Sequence, residues 1–125
     1  MGAIMQKLDR ETGDMILKQG DSFSVVVDNI DNDCVVYFSV TDEMNNPIFE
    51  MSKSPENRMV KFNITATYSN LLIVPRGRPY ARYNYAIKVC KHIDNEWLED
   101  TLVIGNKKIG YSNHITVYSL IAEGK

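Results

Sequence analysis

The feature that most constrains the fold is the alternating stretch that begins at Tyr80. Large aromatic or β-branched residues take every second position from 83 to 89, with smaller or polar residues between them. A period of two is typical of a β-strand with one buried face. The following residues, up to Gly105, predict a partner strand, so residues 80–105 are expected to form a hairpin. Its predicted core residues are Tyr85, Ile87, Val89, Leu102 and Ile104.

Similar short segments, separated by turn residues, recur through the rest of the chain. They predict a first strand at 15–19, strand B at 23–27, strand C at 35–41, strand D at 48–51, strand E at 59–64, strands F and G in the hairpin, and a last strand at 115–118. Ser69 is a plausible helix cap, and Pro75 follows closely, so we expect a single helical turn between strands E and F. Seven or eight short strands without strand–helix–strand alternation predict an all-β, immunoglobulin-like antiparallel β-sandwich.

Length and composition indicate one domain without special partners. The 125 residues can bury a core without metals or disulfides. We divide them into an arm or connector at 1–13, a sandwich at 14–118 and a tail at 119–125. The formal charge of −2 offers no general attraction to nucleic acid or to an anionic membrane. No apolar run approaches the roughly 20 residues of a membrane helix, and no secretory signal is recognisable, so synthesis in the cytoplasm is expected.

Two cysteines lie in the predicted sheet that contains strands C and F. Cys34 opens strand C and Cys90 closes strand F, and these strands are neighbours in an immunoglobulin-like layout. We interpret both side chains as pointing away from the core, where they could meet as a cross-strand disulfide. Two reduced thiols are the favoured alternative in a cytoplasmic protein.

Residues that could carry catalysis or bind a metal have simpler explanations. Cys90 and His92 share a face of strand F, but no orienting acid or oxyanion donor accompanies them. Asp28, Asp31 and Asp33 could attract calcium, yet the EF-hand spacing is absent and loop formation explains the same residues. We therefore expect no enzyme, no metal and no cofactor.

Arginines and tyrosines interleave just before and within strand F. Arg76, Arg78 and Arg82 with Tyr80 and Tyr83 could bind phosphates and stacked bases. Because the chain is acidic overall, we expect no nucleic-acid partner. Tyr83 or Tyr85 is better explained as a tyrosine corner, in which the hydroxyl group bonds the turn before the strand.

The order of several short motifs resembles a known family. Gln19-Gly20-Asp21 follows the first strand, and Tyr-Phe-Ser-Val-Thr-Asp occupies 37–42; Tyr-Asn-Tyr-Ala-Ile-Lys occupies 83–88, and a Thr-Leu-Val-Ile-Gly segment ends at Gly105. This order resembles the immunoglobulin-like N-terminal module of phage upper baseplate proteins and small prophage tail proteins. The resemblance implies a structural role in the virion tail, docking to other tail or baseplate proteins, and no active site. It leaves self-association open.

Apolar and aromatic residues at outward positions suggest the contact surface. The outer faces of strands C, F and G, with residues 1–13, are the candidate regions. The candidate interface residues are Val35, Tyr37, Met59, Arg82, Trp97 and Tyr111. The alternative function is a carbohydrate- or ligand-binding β-sandwich, in which Trp97 and exposed tyrosines are the stacking platforms.

Overall fold

A computed structural model describes residues 3–5, 13–102 and 113–119 of the chain. These residues form nine strands and one short helix. In chain order they are β1 (Ala3–Met5), β2 (Met15–Lys18), β3 (Phe23–Asp28), β4 (Cys34–Asp42), β5 (Pro47–Lys53), β6 (Met59–Ile64), α1 (Ala66–Ser69), β7 (Tyr80–Ile93), β8 (Glu96–Leu102) and β9 (Asn113–Tyr118). The prediction of an all-β sandwich is confirmed.

The strands form two sheets with an immunoglobulin-like order. One sheet is β1-β3-β6, and the other is β2-β9-β7-β4-β5 with β8 also paired to β7. All pairs are antiparallel except β2 and β9, which run parallel from Met15 opposite Ile115 to Lys18 opposite Tyr118. The 14-residue strand β7 is the longest, and its two halves have different neighbours. Its first half pairs with β9, and its second half pairs with β8.

The core lies between the two sheets and follows the alternation in the sequence. Phe38 on β4 is fully buried, and its ring centroid lies 6.0 Å from that of Phe62 on β6, in the opposite sheet. Within its own sheet Phe38 also contacts Phe49 and Tyr85, at 6.2 Å and 5.9 Å between centroids. Tilted rings at these distances are favourable aromatic contacts, so this group joins the two layers.

The predicted hairpin residues lie largely as expected. Tyr85 and Ile87 are buried, while Val89 and Leu102 are partly buried against the core. Ile104 and Gly105 lie outside the described residues.

Two tyrosines of β7 anchor neighbouring segments through their hydroxyl groups. Tyr83 donates a hydrogen bond to the carbonyl of Ile73, in the connection between α1 and β7, which confirms the tyrosine-corner interpretation. Tyr85 donates to the carbonyl of Gly13, at 2.6 Å, just before β2. This second bond spans 72 residues of chain and is buried.

The helical turn lies earlier than the sequence predicted. It spans Ala66–Ser69 with Thr65 as its N-cap, so Ser69 ends the helix instead of capping its start. Ser69 is buried, and its hydroxyl donates to the carbonyl of Gly20 at 3.4 Å. The chain then continues without helix because Leu72 and Val74 must reach the core. The helix position was therefore set by tertiary packing.

The segment predicted as an arm contains a short strand. Ala3–Met5 pairs antiparallel with β3, with Ala3 opposite Val27, and adds an edge to the smaller sheet. Three residues are too few to show a period, so this strand was not predicted from the alternation of side chains.

No helix in the described ranges has the length and hydropathy needed to cross a bilayer.

The Tyr85 hydroxyl should stabilise the fold in a pH-dependent way. Tyr85→Phe leaves the Gly13 carbonyl without its donor, which should lower the free energy of unfolding by about 1–3 kcal/mol. Burial, together with the charge of Asp14, raises the pKa of Tyr85 in the folded protein. Its contribution should therefore be fully present below the unfolded pKa of about 10 and decline as the pH rises above it.

Urea unfolding at pH 8 and at about pH 11 measures both effects. The loss of stability between the two pH values should be smaller for Tyr85→Phe than for the unmodified protein. Tyr118→Phe is the matched control, because Tyr118 is exposed. Equal losses in all three proteins would contradict this role for Tyr85.

Candidate functional site

The strongest candidate is the surface of the larger sheet that faces away from the core, called here the outer face. It carries the side chains of β2, β4, β5, β7, β8 and β9 that alternate with the core residues. At the level of Ala86 on β7 lies Ser39 on β4. Beyond that level in one direction are Val35, Tyr37, Lys88, Cys90, His92, Trp97 and Glu99, and in the other direction are Ile16, Lys18, Tyr80, Arg82, His114 and Tyr118. Four of the six candidate interface residues therefore share one surface.

The β7–β8 hairpin projects apolar side chains from one end of the sandwich. Asp94 and Asn95 both have positive φ, 51° and 65°, as a two-residue type I′ turn requires. Near this turn Ile93, Trp97 and Leu98 are 40%, 58% and 56% exposed. The rings of Trp97 and His92, which face each other across the hairpin, have centroids 4.9 Å apart. The hairpin thus presents a pair of aromatic rings, of which that of Trp97 is largely exposed to solvent.

A shallow depression of about 400 Å³ lies where this hairpin meets β4 and β5. Tyr37 and Trp97 contribute aromatic surface, and Glu50, Glu99 and Lys88 contribute charge. Lys88 Nζ lies 3.2 Å from Glu99 Oε1, in an ion pair that is about half exposed. Cys90 and Ser39 also line this depression.

The opposite end of the outer face carries a second aromatic pair. Tyr80 on β7 and Tyr118 on β9 are register partners, with centroids 5.9 Å apart, and both are exposed. Arg82 lies beside them on β7 and makes no ion pair with any described residue. Ile16 on β2 is 59% exposed and lies one strand further out. This end therefore combines aromatic rings with an unpaired cation.

Of the two remaining candidate interface residues, one belongs to the smaller sheet and the other cannot be placed. Met59 is exposed, but it begins β6 in the smaller sheet and so lies on the other side of the sandwich. Tyr111 lies outside the described residues. Met59 is therefore a useful control position for tests of the outer face.

The cysteines lie on opposite faces of the larger sheet. The prediction that both point outward was wrong for Cys34, which shares the parity of Val36 and Phe38 and belongs to the core cluster. Cys90 does lie on the outer face, opposite Val35, and neighbours bury it. A bridge would have to cross the sheet, and both cysteines are free.

The acidic loop before β4 is neutralised by cations of the protein itself. Ligand atoms of Asp31, Asp33 and Cys34 lie within 4.8 Å of one another, the arrangement closest to a metal site in the described residues. Lys91 Nζ is 3.3 Å from Asp31 Oδ2 and 3.7 Å from Asp33 Oδ2, and Arg58 is 3.3 Å from Asp31. Hydrogen bonding to Asp31, with the charge of Asp33, raises the pKa of Lys91. A metal ion would have to displace the Lys91 ammonium group from these carboxylates, which disfavours metal binding. The absence of a bound metal stays a prediction.

The arginine and tyrosine patch is less suited to stacked bases than its sequence suggests. Tyr83 points inward and is buried, so its ring is unavailable to a ligand. Arg76 and Arg78 border a groove formed with Ile73 and Pro75, whereas Arg82 lies on the outer face. The absence of a nucleic-acid partner remains an expectation.

The two histidines lie far apart and contact different residues. His114 Nδ1 is 2.8 Å from Asn84 Oδ1, while His92 stacks on Trp97 at the other end of β7. Burial and the charge of Glu99 raise the pKa of Cys90, which disfavours its thiolate. Nothing in this geometry activates Cys90 as a nucleophile, and the expectation of no enzyme stays a prediction.

No protein-family model matches the chain, and no curated protein matches it significantly.

Both thiols should be present and slow to react. Burial raises the pKa of Cys34 and of Cys90, and only the thiolate reacts quickly with a maleimide. We expect two free thiols per chain in denaturant without reductant, and labelling of the folded protein about tenfold slower or more than that of glutathione. The Cys34→Ala and Cys90→Ala variants assign each reaction to its thiol. A count of zero in denaturant would contradict the placement of the two side chains.

Proposed function

We propose that this protein is a non-enzymatic assembly module of a phage or prophage tail or baseplate, which binds other proteins through the outer face. The observation that carries the proposal is Trp97 on the β7–β8 hairpin, whose side chain is 58% exposed on the outer face. Tryptophan is among the residues that most often dominate the energy of protein interfaces. A strand that exposes a tryptophan to solvent is a ready contact surface.

The assignment to a tail or baseplate rests on the family resemblance. The immunoglobulin-like strand order agrees with such a module, although many unrelated proteins share this architecture. The docking surface and the tail location are therefore separate parts of the proposal, and each requires its own measurement.

Incorporation into particles tests both parts. In a host that carries the gene, tail particles purified after induction should contain the protein by mass spectrometry. A Trp97→Ala variant should be depleted from those particles by roughly tenfold or more, because truncation of a buried interface tryptophan that acts as a hot spot costs about 2 kcal/mol or more. Met59→Ala should be incorporated normally, since it lies on the other sheet.

The outcomes separate the two parts of the proposal. Absence of the unmodified protein from purified particles overturns the tail assignment. Normal incorporation of Trp97→Ala overturns docking through the hairpin, provided that the variant has the circular dichroism spectrum of the unmodified protein.

A second candidate is a carbohydrate- or ligand-binding module, which the depression between Tyr37 and Trp97 favours. Aromatic faces can stack on the apolar faces of sugar rings, while Glu50, Glu99 and Lys88 could bond hydroxyl groups. The residues fit a small, polar ligand in a shallow site.

A glycan array distinguishes this candidate from protein docking. If the depression binds sugars, the array should give a hit that Trp97→Ala abolishes and Met59→Ala retains. An array without hits, or a hit that persists in Trp97→Ala, would count against carbohydrate binding at this site.

A further inference from the structure

The two ends of the outer face are complementary in chemistry, yet they cannot meet within one molecule. The hairpin end presents Trp97, His92 and Glu99, and the half-exposed Glu99 carboxylate pairs with Lys88 through Oε1. The opposite end presents Tyr80, Tyr118 and Arg82. Arg82 and Cys90, which is the register partner of Glu99, are eight residues apart along β7. At about 3.4 Å per residue this separates them by roughly 27 Å. The unpaired arginine therefore cannot reach this carboxylate of its own chain.

From this arrangement we propose that the outer face binds a second copy of the same chain as a two-fold symmetric dimer. In this dimer the ends are exchanged: the hairpin end of each protomer faces the opposite end of its partner. The two-fold axis lies between the outer faces, perpendicular to the strands, and passes over Ala86. This inference rests on the docking role of the outer face proposed above and names its partner.

The register of β7 shows what such an axis brings together. Rotation about Ala86 places Tyr80 of one protomer against His92 of its partner, and Arg82 against Cys90. Because Trp97 and Tyr118 lie beside His92 and Tyr80, the aromatic pair at each end stacks on that of the other copy. Glu99 lies beside Cys90, one strand spacing of about 4.8 Å away, which an arginine side chain can span.

The centre of the face permits this close approach. Ala86 and Ser39, which are register partners at the level of the axis, are both small. Large side chains therefore stand at the two ends and small ones in the middle. With the ends exchanged, each apolar end gains a partner while the middle keeps the sheets close.

The distribution of charge disfavours the other simple face-to-face arrangement. An axis parallel to the strands keeps the ends together, so Arg82 would approach Arg82 and the Glu99 side chains would approach each other. Like charges in an interface oppose association, whereas the exchanged arrangement makes two Arg82–Glu99 contacts per dimer.

The area is adequate for a specific dimer. The six strands of the larger sheet hold 47 residues, which at about 3.4 Å per residue and about 4.8 Å between strands offer on the order of 770 Å² per protomer. A standard protein interface buries about 800 Å² per partner.

Charge-swapped variants test the proposal by sedimentation velocity from about 1 to about 300 µM, a range that spans micromolar dissociation constants. The unmodified protein should dimerise, and Arg82→Glu alone and Glu99→Arg alone should each raise the dimer Kd about tenfold or more, because symmetry removes both contacts at once. A mixture of the two variants should form a heterodimer near the unmodified Kd, since the heterodimer keeps one native Arg82–Glu99 contact and makes the other with the charges reversed. Trp97→Ala should also raise the Kd about tenfold or more.

Lys61→Glu is the matched control, because it reverses a charge on the outward side of β6 in the smaller sheet. It should leave the Kd unchanged. A strictly monomeric unmodified protein at the highest concentration, a mixture without heterodimer, or an equal effect of Lys61→Glu overturns the proposal. Circular dichroism checks that each variant is folded.

The test is independent of the tail assignment. A monomeric protein that still enters particles through Trp97 would overturn the dimer and leave docking intact. A dimer that is absent from particles would leave the inference standing and overturn the tail location.

Discussion

The packing of Phe38 between the two sheets determines how the rest of the molecule is arranged. Phe38 is fully buried against Phe62 of the opposite sheet, on the strand that pairs with both β5 and β7. Because side chains alternate along a strand, placing Phe38 inward places Tyr37 and Ser39 outward. The registers of β4 with β7 and of β7 with β8 then determine which side chains of those strands face outward. The composition of the outer face is therefore a direct consequence of core packing.

Alternation made much of this arrangement predictable. The inward positions of β7 and the tyrosine corner at Tyr83 follow from periodicity and from a known feature of such sandwiches. The same rule places Cys34 inward, because Cys34 and Phe38 are separated by an even number of positions on β4. The prediction of an outward Cys34 did not follow that rule and was wrong. For the candidate site, periodicity was enough to collect Val35, Tyr37, Arg82 and Trp97 on one surface, but it could not show that Met59 belongs to the other sheet.

Features that depend on contacts distant in sequence were not predictable. The partner of the Tyr85 hydroxyl is the Gly13 carbonyl, 72 residues away, and no local pattern points to it. The helical turn ends at Ser69 because Leu72 must reach the core, which helix propensity alone does not reveal. The ion pairs of Lys91 with Asp31 and Asp33 likewise form only because strand pairing places β7 beside the loop before β4. These contacts arise from the pairing of strands.

The parallel pairing of β2 with β9 has a mechanical consequence. The two strands run in the same direction, so tension applied before Met15 and after Tyr118 pulls on opposite ends of the pair. Such a load acts along the strands and is shared by all their interstrand hydrogen bonds at once, including the bond from Gln19 N to the carbonyl of Tyr118 that extends the pair. In an antiparallel pair pulled from one end, the same bonds would break one after another. The connection between the first and last strands of the larger sheet is thus arranged to transmit tension without opening the core.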